Sequence, residues 1–546
     1  MRHKLGFGQE EPLCAQVGAL YPEKETELYE KLGKWYSTEE FKQKAIEYLG
    51  GAVRVPTESY DKMEPVGVDP RWEAFGPFHE YLSTTYPLIH STLTLTKVNT
   101  WGLVYVWKGS NESLKPLLLA AHQDVVPVEP TTVDTWEHPP YSGFFDGERI
   151  WGRGSSDDKS GLIGIMSTVE TLITNGFKPT RTIFLAFGFD EETSGLHGAN
   201  EIGKYLLSTY GENHFGMIVD EGGGFARDQG TVFATPGIAE KGYLDTRIHV
   251  ASPGGHSSVP PPHTSIGMLA QMLVDIEANP PEPHIERDTP MYSYIQCLAE
   301  HGTSVPRALR KAIKTSVYSD KALKKVEDEL LTTKQFRALV GTTQAEDLIS
   351  GGVKTNALPE QAWAVVNHRI ATQSSLAEAM KSDTDRIIPL AARFNLSLTA
   401  FGEVITPADT PAYGTVTLSD AWGNQLAPAP VTPTGADAVP YKVLSGTIKA
   451  TFNSHRAAGF GLTDGQEIEN ETIVVSPGIM TGNTDTRYYW KLTPHIFRYN
   501  HRNSADEGKT FGGAHTTNES IHVDAFLEII RYFTGLILNV DEAEGI

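Results

Sequence analysis

Three short apolar runs in this chain each end in groups that bind divalent cations. Pro116–Ala121 (PLLLAA) runs into His122-Gln-Asp124. Thr182–Phe189 (TIFLAFGF) runs into Asp190-Glu191-Glu192, and Phe215–Val219 (FGMIV) into Asp220-Glu221 and three glycines. Imidazole and carboxylate are ligands for borderline cations such as Zn²⁺, and two such ions about 3.5–4 Å apart need a carboxylate to bridge them. Three adjacent acids repel one another, and two divalent charges relieve that repulsion. On extended backbone Glu191 and Glu192 point different ways, so one can bind metal while the other faces substrate as a general base. If His122 is a ligand, Asp124 fixes its tautomer from behind. An acidic triplet alone is more often a solvated loop, and a His-x-Asp alone a hydrogen-bonded pair. Three acid-tipped segments together carry more weight.

These groups are useful only if the elements that bear them converge. Short continuous apolar runs bounded by Gly and polar residues predict strands buried on both faces. Between the first two, Lys159–Thr174 places Leu162, Ile163, Met166, Val169, Leu172 and Ile173 on one helical stripe, closed by Asn175-Gly176. Strand, helix, strand predicts an α/β sheet with crossovers, whose ligands sit at the carboxyl ends of its strands. Ahead of that helix, Trp151–Gly161 (WGRGSSDDKSG) forms a tight loop that puts Asp157 or Asp158 at the helix start. Such an Asp is either an ordinary N-cap or the bridging carboxylate.

After residue 243 the character changes. A stretch with GGHSSVPPPHTS and Lys-rich helical segments (Asp320–Glu329) leads to GGVKTNALPE and the alternating strand QAWAVVNHRI. The Pro/Thr-rich piece around Thr406–Pro433 reads as a connection back. The chain then resembles its first part again and closes with the amphipathic helix Val523–Leu538. The predicted fold is a catalytic α/β/α domain with a mixed sheet (1–243 and 430–546), interrupted by an inserted α+β lid or dimerisation domain (244–429).

Composition narrows the function. At 546 residues with a formal charge of −22, the chain lacks the basic footprint that nucleic acid or an anionic membrane requires. Its two cysteines, Cys14 and Cys297, exclude a disulfide scaffold and a thiolate zinc site, leaving at most one bridge. No apolar run approaches a membrane span, and the opening residues have no apolar signal-peptide core. Sequons at Asn111, Asn395, Asn470 and Asn518 are compatible with a secretory route, but chance supplies several in a chain of this length.

HxD after a strand, RGxxDxK, DEE followed by Gly, DEG, GGHSS and a late GAHTTNE occur here in the order seen in the dizinc exopeptidase family. The chain resembles that family from about Leu117 to its C-terminus. GNTDTRYYW and LCAQVGALYP look most like the family's carboxypeptidase S branch. Ser160 departs from the Gly of many members, and the membrane anchor typical of that branch is not visible. The resemblance implies two zinc ions per subunit. His122 would ligate one and His515 the other, with Asp157 bridging, Glu192 completing one sphere and Asp220 or Glu221 the other. It implies Glu191 as general base, Asp124 behind His122, and a cis Asp157–Asp158 peptide. His256 resembles a histidine that reaches across a homodimer to the scissile carbonyl, and Arg369, Arg487 and Asn356 resemble residues that hold a substrate carboxylate.

The implied reaction is hydrolysis of an amide next to a free C-terminal carboxylate, with water activated by metal and deprotonated by Glu191. An N-acyl (fatty-acyl) amino acid hydrolase would use the same machinery on an N-acyl amino acid in place of a peptide. A catalytically silent metal- or peptide-binding protein would not need Glu191. The expected compartment is the vacuolar lumen or the outside of the cell, with the cytoplasm as the alternative.

Overall fold

The computed structural model describes residues 12–407, 409–457, 472–503 and 513–546, so the sequon at Asn470 lies outside the described residues. The mixed α/β architecture is as expected. Among the described residues the main sheet has ten strands, and at its centre Ile183–Gly188, Leu117–His122 and Met217–Asp228 lie side by side and parallel. All six residues of Leu117–His122 are buried, as are all six of Ile183–Gly188.

Alternation along these strands divides their side chains between two helical layers. Leu117, Leu119, Ile183, Leu185, Met217 and Val219 join one core with the helices Glu39–Val53, Lys159–Thr174 and Val523–Glu542. Leu118, Ala120, Phe184, Ala186 and Ile218 join another, under the helix Ala199–Tyr210. The helix Lys159–Thr174 has the predicted bounds. The closing helix continues past Leu538 to Glu542, where the Glu542 carboxylate accepts the backbone N–H groups of Glu23, Lys24 and Glu25.

A second, six-stranded sheet begins at Gly242–Ala251 and includes the predicted strand Gln361–Ile370. Two helices, Ser265–Ala278 and Leu376–Arg393, pack on one of its faces. Four more, Pro290–His301, Arg307–Ser316, Asp320–Leu330 and Lys334–Val340, build a core of their own. The Thr406–Pro433 stretch is more than a connection. Within it Gly414–Asp420 pairs with Gly242–Ala251 and buries Val416 and Leu418. Alternating Thr and apolar residues carry that strand, and the surrounding prolines obscure the signal.

The two cysteines form one disulfide, Cys14–Cys297, which ties the N-terminal segment to the helix Pro290–His301. The sequon at Asn518 is a structural residue. It is buried, and its Oδ1 accepts the Glu137 N–H at 2.6 Å.

Candidate metal centre

Strand register explains why residues far apart in sequence meet. His122 is level with Gly188, and Leu119 with Val219. The next residues of each strand, Asp190–Glu192 and Asp220–Glu221, therefore leave the same edge of the sheet beside His122.

Asp157 comes from the loop ahead of Lys159–Thr174. Glu519 shapes that loop from the far end of the chain, its buried carboxylate accepting the N–H groups of Gly154, Ser156 and Asp157 at 3.0–3.2 Å and pairing with Arg153 at 2.8 Å. Asp158 caps the helix through Gly161 N and also accepts from Asn500. The Asp157–Asp158 peptide is cis. The two aspartates thus divide the readings proposed for them, Asp158 as cap and Asp157 facing the cluster.

The side chains converge. His122 Nε2 lies 3.1 Å from Asp157 Oδ1, and His515 Nε2 lies 3.3 Å from Asp157 Oδ2. His515 Nε2 is also 2.9 Å from Glu192 Oε2, and His122 Nε2 is 3.6 Å from Glu221 Oε1. Ligand atoms of His122, Glu191 and Glu221 lie within 4.8 Å of one another, as do those of His122, Asp157 and Glu192. Glu191 and Glu192 diverge for a different reason from the one expected. They sit in a tight helical turn, Glu191–Thr193, where successive side chains are about a third of a turn apart, and not on extended backbone.

Asp124 plays a fuller part than fixing a tautomer. His122 Nδ1 donates to the Asp124 carbonyl oxygen at 3.0 Å, with the carboxylate at 3.3 Å. That carboxylate accepts the backbone N–H groups of Glu191 at 3.1 Å and Glu192 at 3.2 Å, and the Ser59 hydroxyl at 2.6 Å. It therefore sets the pitch of the turn that carries both glutamates.

Electrostatics mark the cluster as one built for added positive charge. Burial, reinforced by neighbouring acids, pushes Glu191 and Glu221 well above the usual carboxylate range. Burial raises Asp220 to about 6. Burial opposes ionisation of Asp157, but hydrogen bonds from both histidines outweigh it and hold its carboxyl low. His515 is raised to about 10 by its bonds to Asp157 and Glu192. Among the described residues, both oxygens of Asp220 and Oε1 of Glu192 are buried without a hydrogen-bond partner. Two imidazoles, a carboxylate shared between them and orphaned oxygens suit a pair of divalent cations.

Across a model spanning residues 118–539, the chain matches the family described as peptidase family M20/M25/M40. It is 39% identical over 507 residues to carboxypeptidase S of Saccharomyces cerevisiae, covering 92% of this chain and 85% of that protein. The chain belongs to this peptidase family. It is a metal-binding hydrolase of that family, with carboxypeptidases among its similar relatives. A bovine N-fatty-acyl-amino acid synthase/hydrolase is more distant, 29% identical over 504 residues, covering 91% of this chain and 88% of that one. The fold agrees. Human carnosine dipeptidase 1 superposes with a TM-score of 0.60 at 13% identity, over 94% of this chain and 99% of that one.

The remaining predicted residues of this peptidase fall into two places. The Arg369 and Arg487 guanidiniums both lie over the Tyr243 ring, at 5.7 and 5.1 Å from its centroid. Arg487 donates to the Tyr243 hydroxyl at 2.7 Å and Arg369 to Asn483 Oδ1 at 3.4 Å. Neither forms an ion pair among the described residues. His256 and Asn356 sit elsewhere, both exposed, where Gly255–His256 pairs with Ala357–Leu358 and Ser257 N donates to the Asn356 carbonyl. Among the described residues neither bonds to the carboxylate cluster.

Sequence reasoning missed Glu519 and Asp485. Glu519 was in plain sight as the last residue of GAHTTNE. Asp485, inside GNTDTRYYW, is buried against Gly188 and Gly195, and burial and the nearby Asp220 and Asp190 push its carboxyl well above the usual range.

Proposed function

We propose that this chain is a two-zinc carboxypeptidase that cleaves the amide next to a free C-terminal carboxylate. The observation that carries the reading is Asp157, whose two oxygens face histidines nearly 400 residues apart, His122 and His515. One ion would be held by His122, Asp157 and a donor from the Asp220–Glu221 pair, and the other by His515, Asp157 and Glu192. Zinc suits this mixed nitrogen and carboxylate set. Bound divalent cations would polarise the scissile carbonyl and acidify the attacking water.

The chain's own residues supply the rest. Glu191, fixed at its backbone by Asp124, takes the proton of the attacking water and returns it to the leaving amine. Arg369 and Arg487, two cations without an acid partner among the described residues of a chain of net charge −22, receive the α-carboxylate of the substrate. The exposure of His256 and Asn356 suits a role in a neighbouring subunit's site. The segment 244–429 would then carry a homodimer interface. Its outer strand Thr343–Gly351 is an edge without a further partner among the described residues, with Leu348 and Ile349 exposed, and Val274 is exposed on the helix Ser265–Ala278. The Cys14–Cys297 disulfide supports an oxidising compartment, the vacuolar lumen or the cell exterior. No helix among the described residues is long and apolar enough to cross a membrane.

Hydrolysis of a blocked Gly-Leu dipeptide, with and without chelator, tests the reaction. Turnover should depend on metal, and a protein with two metals bound that leaves the peptide intact ends this reading. An N-palmitoyl amino acid assayed alongside decides between the peptidase and the N-fatty-acyl alternative. Mixing Glu191→Gln and His256→Ala homodimers under conditions of subunit exchange tests the shared site. Recovery of up to about half the activity per exchanged dimer is expected, because one site then carries both lesions and the other neither.

A further inference from the structure

We propose that a cavity between the main sheet and the helices Pro290–His301 and Lys334–Val340 binds a large apolar side chain on the acyl side of the scissile bond. The cavity has a volume of about 500 Å³, within the range of small-molecule sites. One wall is the strand Met217–Asp228, which carries Glu221 and then runs along the cavity as Gly223 and Gly224. Those glycines follow Glu221 by two and three residues, just past a register shift in the strand, so the cavity begins beside the metal cluster. A carbonyl held at the cluster would bring the side chain of the residue that bears it, or of the next, to this wall. Gly223 and Gly224 carry no side chains into the part of this wall nearest Glu221, and Ala226, Arg227 and Asp228 continue it.

The opposite wall is aromatic and aliphatic. Tyr294 comes from the helix Pro290–His301, and Phe336 and Leu339 from Lys334–Val340. The Tyr294 ring packs 5.9 Å from Phe233 and 6.5 Å from Phe336. The helices that form this wall are held at defined points. Buried Lys241 donates to the carbonyls of Ala338 at 2.7 Å and Gly341 at 2.5 Å, and the disulfide fixes Cys297. The Lys241 carbonyl in turn accepts from Asn483, the residue that contacts Arg369, so the cavity wall and the arginine pair share one scaffold.

The polar part of the lining decides the class of ligand. It includes Asp228, which accepts a hydrogen bond from the Tyr294 hydroxyl, and Arg227, Thr333 and Gln335. A long alkyl chain would push its end against these polar groups, at a cost in desolvation. A Phe, Leu or Met side chain fills the apolar part, and the polar peptide or blocking group suits the polar part. The assignment rests on the carboxypeptidase reading above.

The test compares N-acetyl-Phe-Leu, N-acetyl-Gly-Leu and an acyl-Leu series of increasing chain length, in wild type, Leu339→Trp and Phe336→Ala, with two metals confirmed in each. Wild type should favour Phe over Gly by about tenfold or more in kcat/KM. Leu339→Trp should fill the cavity and remove about tenfold from the Phe peptide, leaving the Gly peptide within about twofold. Phe336→Ala, which enlarges the cavity, should flatten the preference. Equal losses on both peptides, no preference in wild type, or rates that climb with alkyl length overturn the proposal. If wild type turns over neither peptide, the peptidase reading fails by itself. Calorimetric titration with N-acetyl-Phe-D-Leu then still decides the cavity. Weakening by Leu339→Trp supports it, and unchanged or absent binding sinks it.

Discussion

Glu240 and Arg498 are as deeply buried as His122 and lie on neighbouring strands of the same sheet, yet they solve the problem of buried charge in the opposite way. Glu240 accepts from Arg498 at 3.0 Å, from the backbone and hydroxyl of Thr484 at 2.8 Å, and from the Thr486 hydroxyl at 3.2 Å. Both its oxygens are engaged from within the chain. At the cluster, acids crowd two histidines, Asp220 has no partner for either oxygen, and several carboxyls are pushed up by burial. A charge answered internally builds the fold. Carboxyls left without partners at the end of parallel strands suit cations from outside the chain.

Breaking the cluster should have the largest effect. His122→Ala and His515→Ala should each take bound metal from two ions toward one and abolish turnover. Elemental analysis that finds full stoichiometry in either variant refutes the ligand assignment. Glu191→Gln should keep both metals and lose about 10²–10⁴-fold in kcat, the share ascribed to general acid–base groups. A variant that loses metal but stays active would show that Glu191 and Glu192 have exchanged roles.

Breaking the internal pair should act first on stability, although Arg498 also stands opposite Asp220 across the sheet. Arg498→Met leaves Glu240 buried without its cation and should cost about 3–5 kcal/mol in denaturant unfolding. The double variant Arg498→Met/Glu240→Leu should recover much of that. If the double variant is no more stable than the single one, the pair is not self-contained in the way argued.

The smallest effect is the pH dependence of the metal-free protein. Burial raises Asp190 to about 7 and Asp220 to about 6, so each folded carboxyl keeps a proton that the unfolded chain releases near pH 4. Stability should therefore fall as pH rises from about 4 to 7. His515, raised to about 10, adds stability that is full below about pH 6.5 and lost as pH climbs toward 10. Metal should remove the Asp220 and His515 contributions and leave that of Asp190, whose oxygens already accept from His197 and Gly198. Melting curves with and without chelator check this. A pH profile that metal does not change would mean that Asp220 and His515 lie outside the site.

Local pattern alone determined the three acid-tipped strands, the helix Lys159–Thr174 and the likeness to a peptidase family, because apolar run length, helical period and ordered motifs are properties of adjacent residues. Composition hid the strand Gly414–Asp420 among prolines, and an assumption of extended backbone misjudged the turn at Glu191–Thr193. Tertiary structure decided the rest. That Asp157 rather than Asp158 faces the histidines depends on Glu519, more than 360 residues away, gathering the N–H groups of the loop. That Arg369 and Arg487 share the Tyr243 ring depends on Tyr243 pairing with Arg369 across two strands and on the Asp485–Tyr488 turn arriving from another part of the chain. Such contacts form between segments remote in sequence, and no period or spacing within one segment encodes which distant segment it will meet.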